Sequence, residues 1–209
     1  MTPSFQNLFL LANGQQGYFT ASQAARLGYS QQNQAHHVSA GNWKRVKRGI
    51  FRLEYYPAPK NPDLIVTHLW ALDINDKPEG VFTYETALQF YDLSDWTGYG
   101  LHMTVPKDFR RRSQPPFKLT LHKENLDAKD IQKRDGLLIT TPFKTILDLL
   151  FAETMEQRFL KQAVLQAFDR GLISRRRFQD RQFTDVQAAK VSWLLHLAGV
   201  EDVKISKHG

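Results

Sequence analysis

Side chains able to read or grip a nucleic acid crowd into one short part of the chain. Gln31, Gln32, Asn33, Gln34, His36 and His37 fall within seven positions, and Lys44, Arg45, Lys47, Arg48 and Arg52 follow at once. An amide side chain carries a donor and an acceptor in a fork, the pattern that pairs bidentately with the adenine edge in the major groove. Lysine and arginine hold phosphates, fixing a protein on the duplex without reading its sequence. Taken singly, the amides are a solvated helix face and the cations a solvated hairpin. Together, a run of amides followed directly by a run of cations points to double-stranded DNA. The expected base contacts are Gln31, Gln32 and His36, with Asn33 beside them. The expected backbone contacts are Lys44, Arg45, Lys47 and Arg48.

The elements that must position these groups can be read from caps and breakers. Thr20 and Gln23 have the spacing of a capping box. Ala21, Ala24, Ala25 and Leu27 give the helix that follows an apolar face, and Gly28 ends it. Ser30 caps a second helix running from Gln31 to about Ala40, which Gly41 closes. Trp43 to Lys47 and Ile50 to Leu53 then read as two strands joined at Arg48-Gly49. Two helices around a glycine turn, followed by a hairpin, make a winged helix-turn-helix. A preceding helix, capped by Ser4 and carrying Phe5, Leu8, Phe9 and Ala12, is expected to pack behind it. One feature is unusual: Gln34 and His37 occupy the inward face of the second helix, where only Val38 is clearly apolar, and Tyr29, Ala35 and Trp43 are expected to complete the packing.

The charge supports an acidic polymer as partner of this segment. Of the net charge of +7, residues 1–56 hold +5 (six basic residues and Glu54), which leaves +2 for the rest. The chain has no cysteine, so no disulfide framework or thiolate metal site is available. MTPSFQNLFLLANG lacks the basic flank and the long apolar run of a signal peptide, and no stretch approaches the roughly 18 apolar residues of a membrane span. The expectation is a cytoplasmic protein without a membrane partner.

The three prolines of YYPAPKNP, residues 55–62, mark the join between domains, giving a DNA-binding domain at 1–56 and a second domain at 57–209. Residues 63–73 read as a helix, Thr83 caps a short one, and Leu101–Pro106, Phe117–His122 and Leu137–Thr140 read as strands. Thr141-Pro142 starts a helix to about Phe151. Thr154 with Gln157, and Thr184 with Gln187, repeat the capping-box spacing, and Ser174 caps a short basic helix between them. The fold class is therefore α+β: an N-terminal winged helix-turn-helix followed by a mixed α+β domain.

The chain resembles a known family at specific motifs. LGYS at 27–30, Gly41 and RVKRGIFRL at 45–53 resemble the DNA-binding domain of AbiEi-type antitoxins of type IV toxin-antitoxin systems. TYETAL at 83–88, LHMTVP at 101–106 and DGLLITTPFKTILDLL at 135–150 resemble the C-terminal domain of that family. Gln34 and His37 stand where the family usually has aliphatic residues, and the last 50 residues match it loosely. The resemblance implies an antitoxin that represses its own operon at inverted repeats and counteracts a cognate nucleotidyltransferase toxin.

Enzyme chemistry finds less support. The seven histidines form no H-E-x-x-H, and no Walker loop, G-x-S-x-G or dinucleotide fingerprint is present. His102 and His122 lie on neighbouring strand-like runs, where a hydrogen-bonded pair is expected rather than a metal site. Pro62-Asp63 with Asp127-x-Lys129 echoes a restriction-type nuclease, but ENLDAKDIQK reads as a solvated turn or helix. No catalytic residue, metal or cofactor is expected. The alternatives to the antitoxin are a stand-alone transcriptional regulator with a sensing or dimerising second domain, and a winged-helix-targeted nuclease. Arg110–Arg112 and Arg175–Arg177 are either solvated charge runs or a second basic surface touching DNA flanks or a toxin.

Overall fold

The computed structural model describes residues 4–200, 203 and 205–207. Among them the chain is a mixed α+β protein that divides into two compact units. The first is Met1–Gly80 with Asp108–Lys118 and Lys133–Leu137. The second is Val81–Lys107 with Leu119–Gln132 and Leu138–Gly209.

The first unit opens with α1 (Phe5–Asn13), β1 (Tyr18–Thr20), α2 (Ala21–Arg26), α3 (Gln31–Ser39), β2 (Trp43–Lys47) and β3 (Ile50–Leu53). The caps explain these starts. The Ser4 hydroxyl accepts from the Asn7 N–H at 3.3 Å, and the Ser30 hydroxyl from the Asn33 N–H at 3.2 Å. Thr20 and Gln23 form the full capping box, with bonds of 3.1 and 2.8 Å. Gly28, at φ +92°, takes the left-handed backbone that lets the chain turn between α2 and α3. β3 lies between β1 and β2, antiparallel to both. Leu8, Ala12, Phe19, Ala24, Tyr29, Trp43, Phe51 and Leu53 form the core beneath this sheet. Tyr29 and Trp43 thus complete the packing as expected, whereas Ala35 is exposed. On α1 only Leu8 and Ala12 are buried; Phe5 is 64% and Phe9 42% exposed.

The proline-rich stretch does not end this unit. After it, α4 (Pro62–Trp70) packs on β1 and β3, burying Leu64, Ile65, Val66, Leu69 and Trp70. Trp70 in turn anchors the Asp108–Lys118 segment. Its indole Nε1 donates to Ser113 Oγ at 3.0 Å, and its ring meets buried Phe109 edge-on, centroids 6.1 Å apart.

The second unit begins with β4 (Val81–Phe82), α5 (Tyr84–Tyr91), β5 (Leu101–Val105) and β6 (Leu119–Lys123), and continues with β7 (Ile131–Arg134) and β8 (Leu137–Thr140), whose residues 133, 134 and 137 count with the first unit, and α6 (Pro142–Ala152). It closes with α7 (Gln157–Asp169), α8 (Arg175–Asp180), β9 (Gln182–Phe183), α9 (Asp185–Leu197) and β10 (Ser206–Lys207). Its sheet has the order β6-β5-β4-β8-β7. β4 is antiparallel to β5 and parallel to β8, and β5 is parallel to β6. β9 and β10 form a short parallel pair. α6 is the central helix. Thr141 caps it and Pro142 opens it, and Phe143, Ile146, Leu147, Leu149 and Leu150 are buried. It packs against α5, α7 and α9.

Three local expectations are corrected here. Thr154 does not cap a helix: its hydroxyl donates to Glu85 Oε1 at 3.2 Å, and α7 starts after Glu156 with no side-chain cap. Ser174 precedes α8 but makes no capping bond. The segment ENLDAKDIQK is a 3-10 turn only at Ala128–Asp130, after which the chain becomes β7.

Candidate nucleic-acid interface

At 100° per residue, the 3.6-residue period divides α3 into two faces. Gln34, His37 and Val38 point towards the core, with Gln34 only 6% exposed. Gln32, Ala35, His36 and Ser39 share the opposite, exposed face, and Gln31 and Asn33 lie exposed at its two borders. Among the described residues the side chains of Gln31, Gln32 and Asn33 are exposed and make no hydrogen bond within the protein, so their amide forks remain available.

The two odd residues of α3 have structural tasks. Gln34 Nε2 donates to the Tyr29 carbonyl at 2.9 Å and to the Ala21 carbonyl at 3.1 Å, bridging the helix to α2 and to the turn. His37 stacks on Trp43, with centroids 4.7 Å apart and planes 14° apart, and meets the edge of Tyr29. Burial, and then the neighbouring His36, push its pKa down and keep the stacked ring neutral.

The hairpin presents the cations. Lys44, Arg45 and Arg48 are exposed and Lys47 half-buried. The ladder pairs Arg45 with Phe51 but Lys47 with Ile50, so Val46 is a bulge. Because cross-strand partners share a face, the extra residue moves Lys47 to the side of Lys44 and Arg52. Arg45 lies over the Phe51 ring at 5.6 Å, and Lys47 Nζ over the Phe117 ring at 4.4 Å. Arg52 differs from these four: its guanidinium donates to the Tyr56 carbonyl and lies over Tyr18, so it is fixed within the unit. The first acidic residue of the chain is Glu54, so no carboxylate of the preceding segment offsets these charges.

The second unit brings several titratable side chains together. His102 Nδ1 lies 3.1 Å from His122 Nε2 and 3.3 Å from Glu85 Oε2, and Tyr84 stacks on His122 at 4.1 Å. The two histidines thus face each other. No group of three or more His, Asp or Glu side chains suited to holding a metal ion occurs among the described residues. Tyr84 sits at φ +50°, strained for an aromatic residue. The Thr83 hydroxyl, which precedes it, accepts from Thr104 Oγ1 at 3.1 Å instead of capping α5. Beside Tyr84 a polar cleft holds Glu124, Lys144, Asp148 and Arg181. Lys144 pairs with Asp148, and Arg181 donates to both oxygens of buried Asp130 at 3.0 and 2.9 Å. Burial raises the Tyr84 hydroxyl to about 12, helped by the carboxylates of Asp148, Glu124 and Glu85. Sequence reasoning missed this cleft, since its members are scattered from 84 to 187. Asp127 and Lys129, of the nuclease-like pattern, are both exposed and pair with each other at 3.3 Å. Arg175 and Arg177 are exposed, and Arg176 pairs with Asp180 at 3.4 Å.

A scan of protein-family models and a search of curated proteins find no match to this chain.

Proposed function

We propose that this chain binds double-stranded DNA as a winged helix-turn-helix repressor, with α3 as the reading helix and the β2–β3 hairpin as the wing. The observation that carries this reading is the sorting of α3. Its two misplaced-looking polar residues are used internally, and the residues left outside are Gln31, Gln32, Asn33 and His36, next to a hairpin bearing Lys44, Arg45, Lys47 and Arg48. Amides suit base edges and cations suit phosphates. Selection of bound duplexes from a random pool tests it: enrichment of one motif, arranged as an inverted repeat, is the expected result. Recovery of no motif would reject sequence-specific repression.

The role of that repression is proposed from the AbiEi-type motifs at 83–88, 101–106 and 135–150. On this reading the chain is the antitoxin of a type IV pair, silencing its operon and countering a nucleotidyltransferase toxin. Co-expression with a neighbouring gene of that chemistry should restore growth. Repression without rescue would favour a stand-alone transcriptional regulator.

A further inference from the structure

Asp108–Lys118 runs between two strands of the second unit yet belongs to the first. There it forms one wall of a groove of about 860 Å³, facing the tip of the β2–β3 hairpin. Lys47 and Arg48 come from the hairpin, and Arg111 and Arg112 from the segment. Lys47 over Phe117 links the two walls. The groove's two carboxylates are already committed. Asp76 pairs with Arg26, and Asp73 Oδ1 accepts the backbone N–H groups of Asn75 and Lys77, each at 2.7 Å. Arg111 is held in place by one bond, to the Leu72 carbonyl at 2.8 Å, and by its position over Trp70. A guanidinium has five N–H donors, so most of those of Arg111 stay free. Arg48 and Arg112 are exposed and make no ion pair among the described residues.

We propose that this groove is a second DNA-backbone site, in which Arg48, Arg111 and Arg112 take successive phosphates of one strand flanking the segment read by α3. It rests on the duplex-binding reading above and enlarges its footprint. Fixed cations along a groove match a polyanion with about one charge per 1.7 Å of duplex axis. The floor of Leu69, Trp70 and Leu72 is apolar and Gln114 is the one amide of the lining, so the groove grips mainly through its cations, which fix a backbone without reading sequence.

The test uses the full-length chain and a duplex of fixed sequence, with affinity measured by fluorescence anisotropy across a salt series. Each phosphate contact contributes about −0.9 to the slope of log K against log salt. Arg112→Ala should therefore flatten the slope by about 0.9, and Arg48→Ala with Arg112→Ala by about 1.8, with discrimination between motif and scrambled duplex unchanged. Arg112→Lys should restore the slope. Matching circular dichroism and melting confirm that the variants fold. A wild-type slope in Arg112→Ala, with binding intact, overturns the groove site and leaves the reading helix standing. Failure of the wild-type chain to bind any duplex overturns both.

Discussion

Gln34 and Tyr29 are joined inside the first unit: the buried amide of Gln34 donates to the Tyr29 carbonyl at 2.9 Å, and also to that of Ala21 at 3.1 Å. An aliphatic residue would fill the volume but leave two carbonyls without this donor. Gln34→Leu should cost about 1–3 kcal/mol, the usual penalty for unpaired buried polar groups. Urea unfolding measures this; a variant as stable as the wild type would show that the bridge contributes nothing.

Adjacent histidines should behave differently. His36 is exposed, while His37 stacks on Trp43. His36→Ala should shift stability by no more than about 0.5 kcal/mol but weaken the choice between operator and scrambled DNA. His37→Ala should instead lower stability by about 1–3 kcal/mol through lost packing. Similar melting curves for the two variants would contradict this division.

Gln32 and the Lys44-Arg45 pair separate specificity from grip. Gln32→Ala should lose about 1–3 kcal/mol of discrimination while retaining most non-specific affinity. Lys44→Ala with Arg45→Ala should weaken binding to every sequence alike and flatten the salt slope by about 1.8. Full discrimination in Gln32→Ala would place the reading face elsewhere on α3.

Half-buried His68 and buried Asp148 make stability depend on pH with opposite signs. His68 is lowered from 6.5 to about 4 by burial and then by Lys133. The native state therefore binds fewer protons than the unfolded chain in that window. The contribution is complete above 6.5 and is lost as pH falls through about 4. Asp148 is raised from 3.8 to about 6 by burial, despite Lys144 beside it. Here the native state holds the extra proton, so its contribution is greatest below 3.8 and is lost as pH rises through about 6. Denaturant unfolding in pH steps should show Asp148→Asn gaining on the wild type as pH rises from 3.8 to 6. His68→Gln should remove part of the stability lost on acidification. A pH-independent difference between wild type and Asp148→Asn would reject the Asp148 assignment.

Much of the fold was legible where local chemistry decides it. Thr20 with Gln23 and Thr184 with Gln187 both form full capping boxes. Thr154 with Gln157 has the same spacing and fails, because a distant partner, Glu85, takes the hydroxyl. β1, β4 and β9 are two or three residues long, too short for alternation to register. β7 is polar, yet Asp135-Gly136, at φ +50° and +85°, was a hairpin signal in plain view. The polar residues of α3 were legible as a set, but their division into exposed and internally bonded ones was not, since that depended on which carbonyls Gln34 could reach. Arg110–Arg112 was legible as a candidate basic surface, but its place beside the hairpin was not, because it lies some sixty residues from the residues it faces.

The patchwork membership of the first unit has a consequence for synthesis. Its N-terminal part ends at Gly80, but its last segment ends at Leu137, 57 residues later. At about 5–20 residues per second, a ribosome takes about 3–11 s to supply that interval. For the first part of that interval, until Ser113 is made, Trp70 lacks the Ser113 and Phe109 partners that cover it. A nascent chain thus holds α3 before the unit carrying it can close, and until Ser113 follows, an apolar flank of α4 is open to chaperones or to the wrong neighbour.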